Sequence, residues 1–383
     1  MDFLFYLSLI SLIVIVLWGS EFYLGGRNIQ RLKDISLPFT DDLPEVSIVI
    51  PALNEERDIE QALTTVLSLE YKNKEILVIN DRSTDRTAEI LGKMARQNPA
   101  LHVYHIEDLP SGWLGKNHAL HFGARQAKGE YLLFTDADIM FDPAVLNRAV
   151  RYVQENHLDH LAIGPEIRQH GVLLNMLTVV FITFFGTLMK PWKAKNPKSK
   201  RFIGIGAFNL MRTEAYWNSG TLEVIAMRPD DDVKLGKLLK KRGFRQDYLS
   251  GIDMVWLEWY PSVRDMINGL MKNTFAVYEY NIFSIAVITL AMLVLDIWPF
   301  IGAFLTNGVT QALNGAIILI FYCAFGFTAH MHNKSPWYAL GLPIGCLIIV
   351  YIVWRSTLTT LINQGIYWRG THYCLKELRE NRI

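Results

Sequence analysis

The residues of this chain best suited to chemistry fall in two short acidic motifs and one lysine. Asp136 and Asp138, in YLLFTDADIMFDP, follow the apolar run 131–134 and are separated by one residue. Such oxygen ligands suit a hard divalent cation, Mg²⁺ or Mn²⁺, and two protein carboxylates suffice when a substrate diphosphate completes the shell. The spacing alone is a weak signal, since Asp230 and Asp232 form a second such pair. That second motif, RPDDDVKLGKLLKKRGFR, puts Asp230, Asp231 and Asp232 at the start of a helix predicted to run to about Arg242. One acid there would cap the first turn and complement the helix dipole. Three in a row repel one another, which raises a carboxylate's pKa toward that of a usable general base. Lys116, in EDLPSGWLGKNHAL, stands at a loop-to-helix junction. An ammonium there can reach a phosphate alongside the helix N-terminus.

Acids this far apart in sequence need a scaffold that brings them to one edge. Residues 46–50 (VSIVI) read as a first strand, broken by PALNEERD, and 59–69 as an amphipathic helix. Residues 75–79 read as a second strand ending in NDRSTDRT, with Ser83 and Thr84 as caps for a helix to about Arg96. A third strand over 101–106, a helix over 116–127 and a buried parallel strand over 131–134 follow. Asp142-Pro143 then opens a helix over 144–156, ahead of strands at 161–167 and 201–211. In the last of these, Gly204 and Gly206 would admit a ligand to the backbone. The strand, loop, helix, strand order is half of a nucleotide-binding α/β domain, and it puts Asp136 and Asp138 at a carboxyl strand end, where such sheets bind ligands.

Hydrophobic residues make up 51% of the 383, and the excess is concentrated at 3–18 and beyond 280. A net charge of +1 gives no basic face for nucleic acid. The only cysteines, Cys323, Cys346 and Cys374, leave the middle of the chain without a disulfide framework or thiolate site. Residues 1–26 read as an uncleaved anchor, because they open on Met1-Asp2 rather than on a basic n-region. Arg27, Arg31 and Lys33 behind it place the domain at 27–279 in the cytoplasm, after a polar linker with Pro38 and Pro44.

Residues 172–189 are apolar but interrupted by Asn175, Thr178, Thr183 and Thr187, and the basic run KAKNPKSKR follows. They read as an interfacial helix, since a crossing there would leave Asp232 on the wrong side of the bilayer, and the amphipathic segment 262–278 reads as another. Apolar segments at 281–305, 315–329 and 337–358 form a membrane region over 280–362, with Asp296 facing a partner, cavity or interface. Three crossings would send the basic tail at 363–383 outside, yet Arg369, Lys376, Arg379 and Arg382 favour the inside. The segment that fails to cross is not legible, but the protein reads as multi-pass in the cell membrane.

The set VSIVIPALNEE, VINDRSTDRT, TDADI and Asp231-Asp232-Val233-Lys234-Leu235-Gly236 resembles a family 2 glycosyltransferase of the GT-A fold, over about 46–278. The resemblance implies a Rossmann-like α/β nucleotide-sugar domain flanked by one N-terminal and several C-terminal transmembrane helices. It implies Pro51, Asn54, Glu55 and Asp81 in the nucleotide-binding opening, with Asp81 toward the base and Asn80 where the family commonly has Asp. Asp136 and Asp138 would hold the metal and the donor diphosphate, helped by Lys116, and Asp232 would be the base with Asp231 its neighbour. SGWLGKNHAL, PDDDVKLG and IYWRGTHY are similar to the carotenoid- or hopene-associated, lipid-modifying subgroup. The (Q/R)xxRW motif of processive synthases is absent, and EWYPSVRDMINGL offers only Arg264 there.

The reaction implied is an inverting transfer from a nucleotide diphosphate sugar, most simply a UDP-sugar, to a hydroxyl or carboxyl of a lipid in the bilayer. One alternative is a processive polysaccharide synthase-like transferase. Another is a haloacid-dehalogenase-like phosphatase, whose DxD opens its domain and usually continues to Thr or Val where Met140 stands here. A catalytically silent membrane scaffold is the third. Nothing in the sequence speaks to oligomeric state.

Overall fold

The computed structural model describes residues 3–35 and 43–381, so the linker around Pro38 and the basic Arg382 lie outside it. In chain order the elements are α1 (Phe3–Gly26), β1 (Val46–Ala52), α2 (Ile59–Leu67), β2 (Lys74–Asp81), α3 (Thr87–Gln97), β3 (Leu101–Ile106), α4 (Gly115–Gln126) and β4 (Tyr131–Phe134). Next come β5 (Met140–Phe141), α5 (Val145–Glu155), β6 (His160–Gly164), β7 (Glu166–Arg168), α6 (Val172–Met189), β8 (Asn209–Arg212), α7 (Thr213–Ser219), α8 (Asp231–Lys241), β9 (Gln246–Ser250) and β10 (Val255–Glu258). The remainder is α9 (Val263–Val277), α10 (Ile282–Met292), α11 (Trp298–Leu305), α12 (Gly308–Met331), α13 (Leu342–Ile362), β11 (Gly365–Trp368), β12 (Thr371–Cys374) and α14 (Leu375–Glu380). The chain divides into an α/β unit of Ile29–Arg168, Pro191–Glu258 and Glu377–Ile383, and a helical unit of Met1–Asn28, Gln169–Lys190 and Trp259–Lys376.

The α/β unit is built on a seven-stranded sheet in the order β3-β2-β1-β4-β8-β6-β9. The first four strands are parallel, and β8 runs antiparallel to both β4 and β6. The chain winds outward from β1 to β3 and returns to β4 on the other side, so the loops after β1 and β4 part at a topological switch point, the usual ligand crevice. All seven residues of β1 are buried, as central parallel strands covered on both faces require. Val49, Leu77, Ile79, Phe134, Leu235 and Leu239 belong to one buried cluster, each contributing about 1.5–3 kcal/mol by its burial. The strand ends are thus set by the core and not by the site. A second, three-stranded sheet in the order β5-β10-β7 gathers residues just beyond Asp138.

Several local expectations are corrected. The strand expected at 161–167 is two strands in different sheets, because Pro165 lacks the N–H a continuous ladder needs. The strand expected at 201–211 is paired only over Asn209–Arg212, since residues 203–206 instead run across the start of α8. Ser83 and Thr84 do not cap α3. They lace onto the loop after β1, with the Asn54 N–H donating to Ser83 Oγ at 3.0 Å and the Thr84 N–H to Asn54 Oδ1 at 2.8 Å. Asp85 does the capping, accepting from the Thr87 N–H at 3.0 Å. Strands β9 to β12 carry too little apolar alternation to be read from sequence.

In the helical unit α1 and α12 run side by side in the same direction. Ser8 Oγ donates to Asn314 Oδ1 at 3.3 Å, Trp18 meets Phe321 at 5.7 Å, and Tyr23 meets Phe327 at 5.1 Å. Helix α6 engages the later parts of both: Trp18 Nε1 donates to Thr187 Oγ1 at 3.1 Å, Lys190 pairs with Glu21 at 2.5 Å, and Phe184 meets Phe325 at 6.0 Å. Among the described residues five helices are long and apolar enough to cross a membrane, namely Phe3–Gly26, Val172–Lys193, Ile282–Leu305, Gly308–Met331 and Pro336–Ile362. A π turn, Leu293–Ile297, joins α10 to α11 and carries Asp296.

Candidate active site

The site forms where β4 ends. Thr135 Oγ1 donates to the Ala207 carbonyl at 2.8 Å and the Asp136 N–H to the Gly206 carbonyl at 3.1 Å, zipping the end of β4 to the loop before β8. The Gly206 N–H then donates to Asp232 Oδ2 at 2.7 Å, while Asp232 Oδ1 accepts from its own Val233 N–H at 2.8 Å. One glycine therefore links the backbone beneath Asp136 to the carboxylate of Asp232. A Cβ at position 206 would lie 2.7 Å from Asp136 Oδ2 and 3.4 Å from Asp232 Oδ2, so no other residue lets the two acids converge without a shift.

Lys116, delivered by the first turn of α4, closes the cluster. Its Nζ is 2.7 Å from Asp136 Oδ1 and 3.5 Å from Asp231 Oδ2. Burial works against the ammonium, but Asp136, Asp231 and Asp232 outweigh it and hold the lysine pKa above its ordinary value. Burial pushes Asp138 up to about 7, with Asp136 and Glu55 adding their repulsion. Asp232 is raised as well, by burial, although Lys116 and its two amide partners pull the other way. Lys116, Asp136, Asp231 and Asp232 line a small cleft that also takes in Asn209 and Leu222.

The acids at 230–232 have three different partners. Asp230 is buried in a bidentate pair with Arg228, Oδ1 to Nε at 2.8 Å and Oδ2 to Nη2 at 3.0 Å, and Lys234 stands 3.7 Å away. It is a structural acid. Asp231 faces Lys116, and Asp232 faces the Gly206 amide. The turn before α8 is held by Asn117, whose Nδ2 lies 3.0, 3.1 and 2.9 Å from the carbonyls of Ile225, Ala226 and Arg228. Beneath the site Gln246 Oε1 accepts from the Ile203 N–H at 3.0 Å and its Nε2 donates to the Gly236 carbonyl at 3.0 Å, fixing the glycine loop to α8. Burial pushes the neighbouring His160 down to about 4, so it is neutral and donates from Nε2 to Asn209 Oδ1.

The structure thus brings Lys116, Asp136, Asp231 and Asp232 together, with Asp138 and Glu55 beside them. Asp81 lies at the adjoining end of β2, doubly bonded by Arg82 at 2.7 and 2.9 Å and facing Gly115 at the head of α4. Pro51 is buried in β1 opposite Ile79, and the Asn54 side chain is engaged in joining two loops. Asn117, Arg228 and Gln246 were not singled out from sequence. Asn117 adjoins Lys116 in GKNHAL, but nothing local marks its bonds to a segment more than a hundred residues away.

The family model described as Glycosyl transferase family 2 matches residues 47–220. The chain carries a family 2 glycosyltransferase domain. It is 26% identical over 329 residues to the poly-beta-1,6-N-acetyl-D-glucosamine synthase of Staphylococcus aureus strain COL, covering 78% of this chain and 73% of that protein. To the Staphylococcus epidermidis protein of the same name it is 31% identical over 147 residues, covering 38% of this chain and 34% of that one. Among solved structures, the mannosyltransferase PcManGT from Pyrobaculum calidifontis, in complex with GDP-Man and Mn²⁺, matches with a TM-score of 0.56 at 17% identity, covering 90% of this chain and 99% of that one. The α/β unit of the glycosyltransferase therefore has the mixed α/β GT-A fold, and the phosphatase alternative falls away.

Proposed function

We propose that this glycosyltransferase moves a sugar, with inversion, from a nucleotide diphosphate sugar to a hydroxyl or carboxyl of a membrane lipid. The observation that carries this reading is the Gly206 bridge: the backbone of the donor-side acid Asp136 and the carboxylate of the base-side acid Asp232 are bonded to the same glycine, with Lys116 between their two motifs. Asp232, with both oxygens oriented by amides and a pKa raised by burial, takes the proton from the acceptor group as it attacks the anomeric carbon. Lys116 turns from Asp136 toward the departing diphosphate, and Asp231 keeps that ammonium in reach. One attack and one departure, with no enzyme nucleophile, give inversion.

The residues fit a divalent cation. Asp136 and Asp138 are hard oxygen donors, and the missing Cβ at Gly206 leaves Asp136 Oδ2 approachable. Among the described residues no three His, Cys, Asp or Glu side chains are already grouped as a ligand set, so the donor's phosphates would complete the shell. Mg²⁺ or Mn²⁺ held there would supply Lewis-acid stabilisation of the diphosphate. UDP is the family's commoner carrier, and the GDP-Man of the Pyrobaculum calidifontis neighbour makes guanosine donors the second arm of any screen.

Support for a lipid acceptor comes from the apolar helices and from the resemblance to carotenoid- or hopene-associated enzymes. The α/β unit is assembled from three separate stretches of chain, and a compact unit lies on one side of a bilayer. On that reasoning α6, a single helix that leaves the α/β unit after Arg168 and returns to it at Pro191, lies in the interface rather than crossing. The stretch 259–376 then crosses an even number of times, which puts the basic tail on the catalytic side. Arg27, Arg31 and Lys33 make that side the cytoplasm.

The named relatives favour a second reading, a transferase that adds many sugars to a growing polysaccharide. Purified protein offered UDP- and GDP-sugars, with mass spectrometry of extracted lipids from cells with and without it, separates the two. A single sugar increment on a lipid supports the proposal, and a ladder of increments on a soluble polymer replaces it.

A further inference from the structure

Residues from Glu377 onward rejoin the α/β unit after the last apolar helix. Leu378 is fully buried there, and one turn later Asn381 grips a distant segment with both ends of its amide. Its Oδ1 accepts from the Met227 N–H at 3.1 Å and its Nδ2 donates to the Val224 carbonyl at 3.0 Å. The gripped segment is a single 3₁₀ turn, Leu222–Ile225, and the loop after it. Its backbone bonds are few, from the Ala226 N–H to the Glu223 carbonyl at 3.4 Å, from the Arg228 N–H to the Ile225 carbonyl at 2.9 Å and from the Leu114 N–H to the Ala226 carbonyl at 2.9 Å. Groups such as the Met227 N–H and the Val224 carbonyl therefore turn to side chains.

That segment leads straight into the chemistry. Leu222 lines the cleft, Arg228 locks Asp230, and Asp231 and Asp232 occupy the first turn of α8 directly behind. From the other side Asn117, next to Lys116, holds the carbonyls of Ile225, Ala226 and Arg228. The entry to the acid-bearing helix is thus pinned between two asparagines, one beside the phosphate-reaching lysine and one supplied from beyond the membrane helices.

We propose that Asn381 is a positioning residue for the transfer reaction, holding residues 222–228 in place so that α8 presents Asp232 to the acceptor. The proposal rests on the reading of Asp232 as the base. Without the amide, the Met227 N–H and the Val224 carbonyl must turn to water, the segment samples other conformations, and a smaller fraction of molecules has Asp232 seated on Gly206. Asp136, Asp138 and Lys116 are untouched, so donor affinity holds while turnover falls.

The test uses the full chain in nanodiscs with Asn381→Ala, Asn381→Asp and, as an exposed neighbour, Glu380→Ala. The quantities read are kcat and donor KM, UDP and GDP binding, and amide exchange over residues 221–228. Asn381→Ala should lower kcat about tenfold, with KM and nucleotide binding within about twofold, and should speed exchange in the segment. Asn381→Asp keeps the acceptor for Met227 but loses the donor, and should fall between. Glu380→Ala should match the parent. A kcat for Asn381→Ala within about twofold of the parent overturns the proposal, as does unchanged exchange, or a loss of kcat matched by an equal loss of nucleotide binding. Transfer retained by Asp232→Asn would instead strike the base assignment, whatever the Asn381 variants do.

Discussion

At the end of β4, Asp136 lines a cleft, and the cation paired with it is a lysine from another element. At the start of α8 three consecutive acids have three separate partners: Arg228 for Asp230, Lys116 for Asp231, and the Gly206 amide for Asp232. The difference lies in what neutralises each group. A guanidinium buried with its carboxylate and bonded to both oxygens makes that acid part of the framework. A lysine whose charge is shared between two acids, or an amide that only orients, leaves the carboxylate free to act on a substrate. The first acid is neutralised within the framework, while Asp232 keeps a pKa raised by burial and by Asp136 across the site, which is how a helix start can be both stable and reactive.

The largest effects should come from breaking the two motifs separately. Asp232→Asn should lower kcat by about 10²–10⁴-fold while leaving Mn²⁺ binding intact. Asp136→Asn should abolish transfer and also remove Mn²⁺ binding measured by calorimetry. If Asp232→Asn lost the metal too, the division between the two motifs would dissolve.

Lys116→Gln removes the charge that joins the motifs, and should cost about 10²-fold in kcat/KM. It should also move the pH profile in a defined direction. Asp232 works deprotonated, so activity is lost as pH falls through its raised pKa. Lys116 favours the carboxylate form, and without it that limb of the kcat/KM profile should shift to higher pH. A shift to lower pH would mean that some group other than Asp232 is titrating.

Gly206→Ala tests the bridge itself. Its methyl would press on Asp136 Oδ2, a side-chain end that can give way, so a loss of about tenfold in kcat with a correctly folded protein is expected. Circular dichroism and nucleotide binding check the second condition.

The parts of this site legible in sequence are those carried by local pattern. Leu101–Ile106 and Tyr131–Phe134 fall where apolar runs place them, and Asp136 follows from the second. Lys116 was legible because a glycine-punctuated loop precedes a helix. What pattern does not carry is pairing across distance. Asp230 is indistinguishable from Asp231 until Arg228 folds back on it, and Gly206 reads as an opening for a ligand until Asp232 is found on its amide. Residues 201–208 are apolar enough to suggest a strand, yet contact with α8 overrides that preference. Asn117 and Gln246 are ordinary polar residues whose roles are defined wholly by segments far away in the chain.

The smallest expected effect on turnover comes from the acid assigned to the framework, and it tests the comparison most sharply. Arg228→Met leaves the buried Asp230 carboxylate with only Lys234, 3.7 Å away, and should cost about 3–5 kcal/mol of stability. Asp230→Asn should be milder, because the amide keeps an acceptor for the guanidinium. The double change Arg228→Met with Asp230→Leu removes the bidentate pair together, and should recover part of the lost stability, the rest being held back by the loss of the 3.7 Å contact of buried Lys234 with Asp230. If Asp230 is structural only, kcat per folded molecule in the double variant should stay within about threefold of the parent. Such a result would separate Asp230 from its neighbours on function as the structure separates them on partners. A loss comparable to that of Asp232→Asn would place all three acids in the reaction and erase the distinction drawn between them.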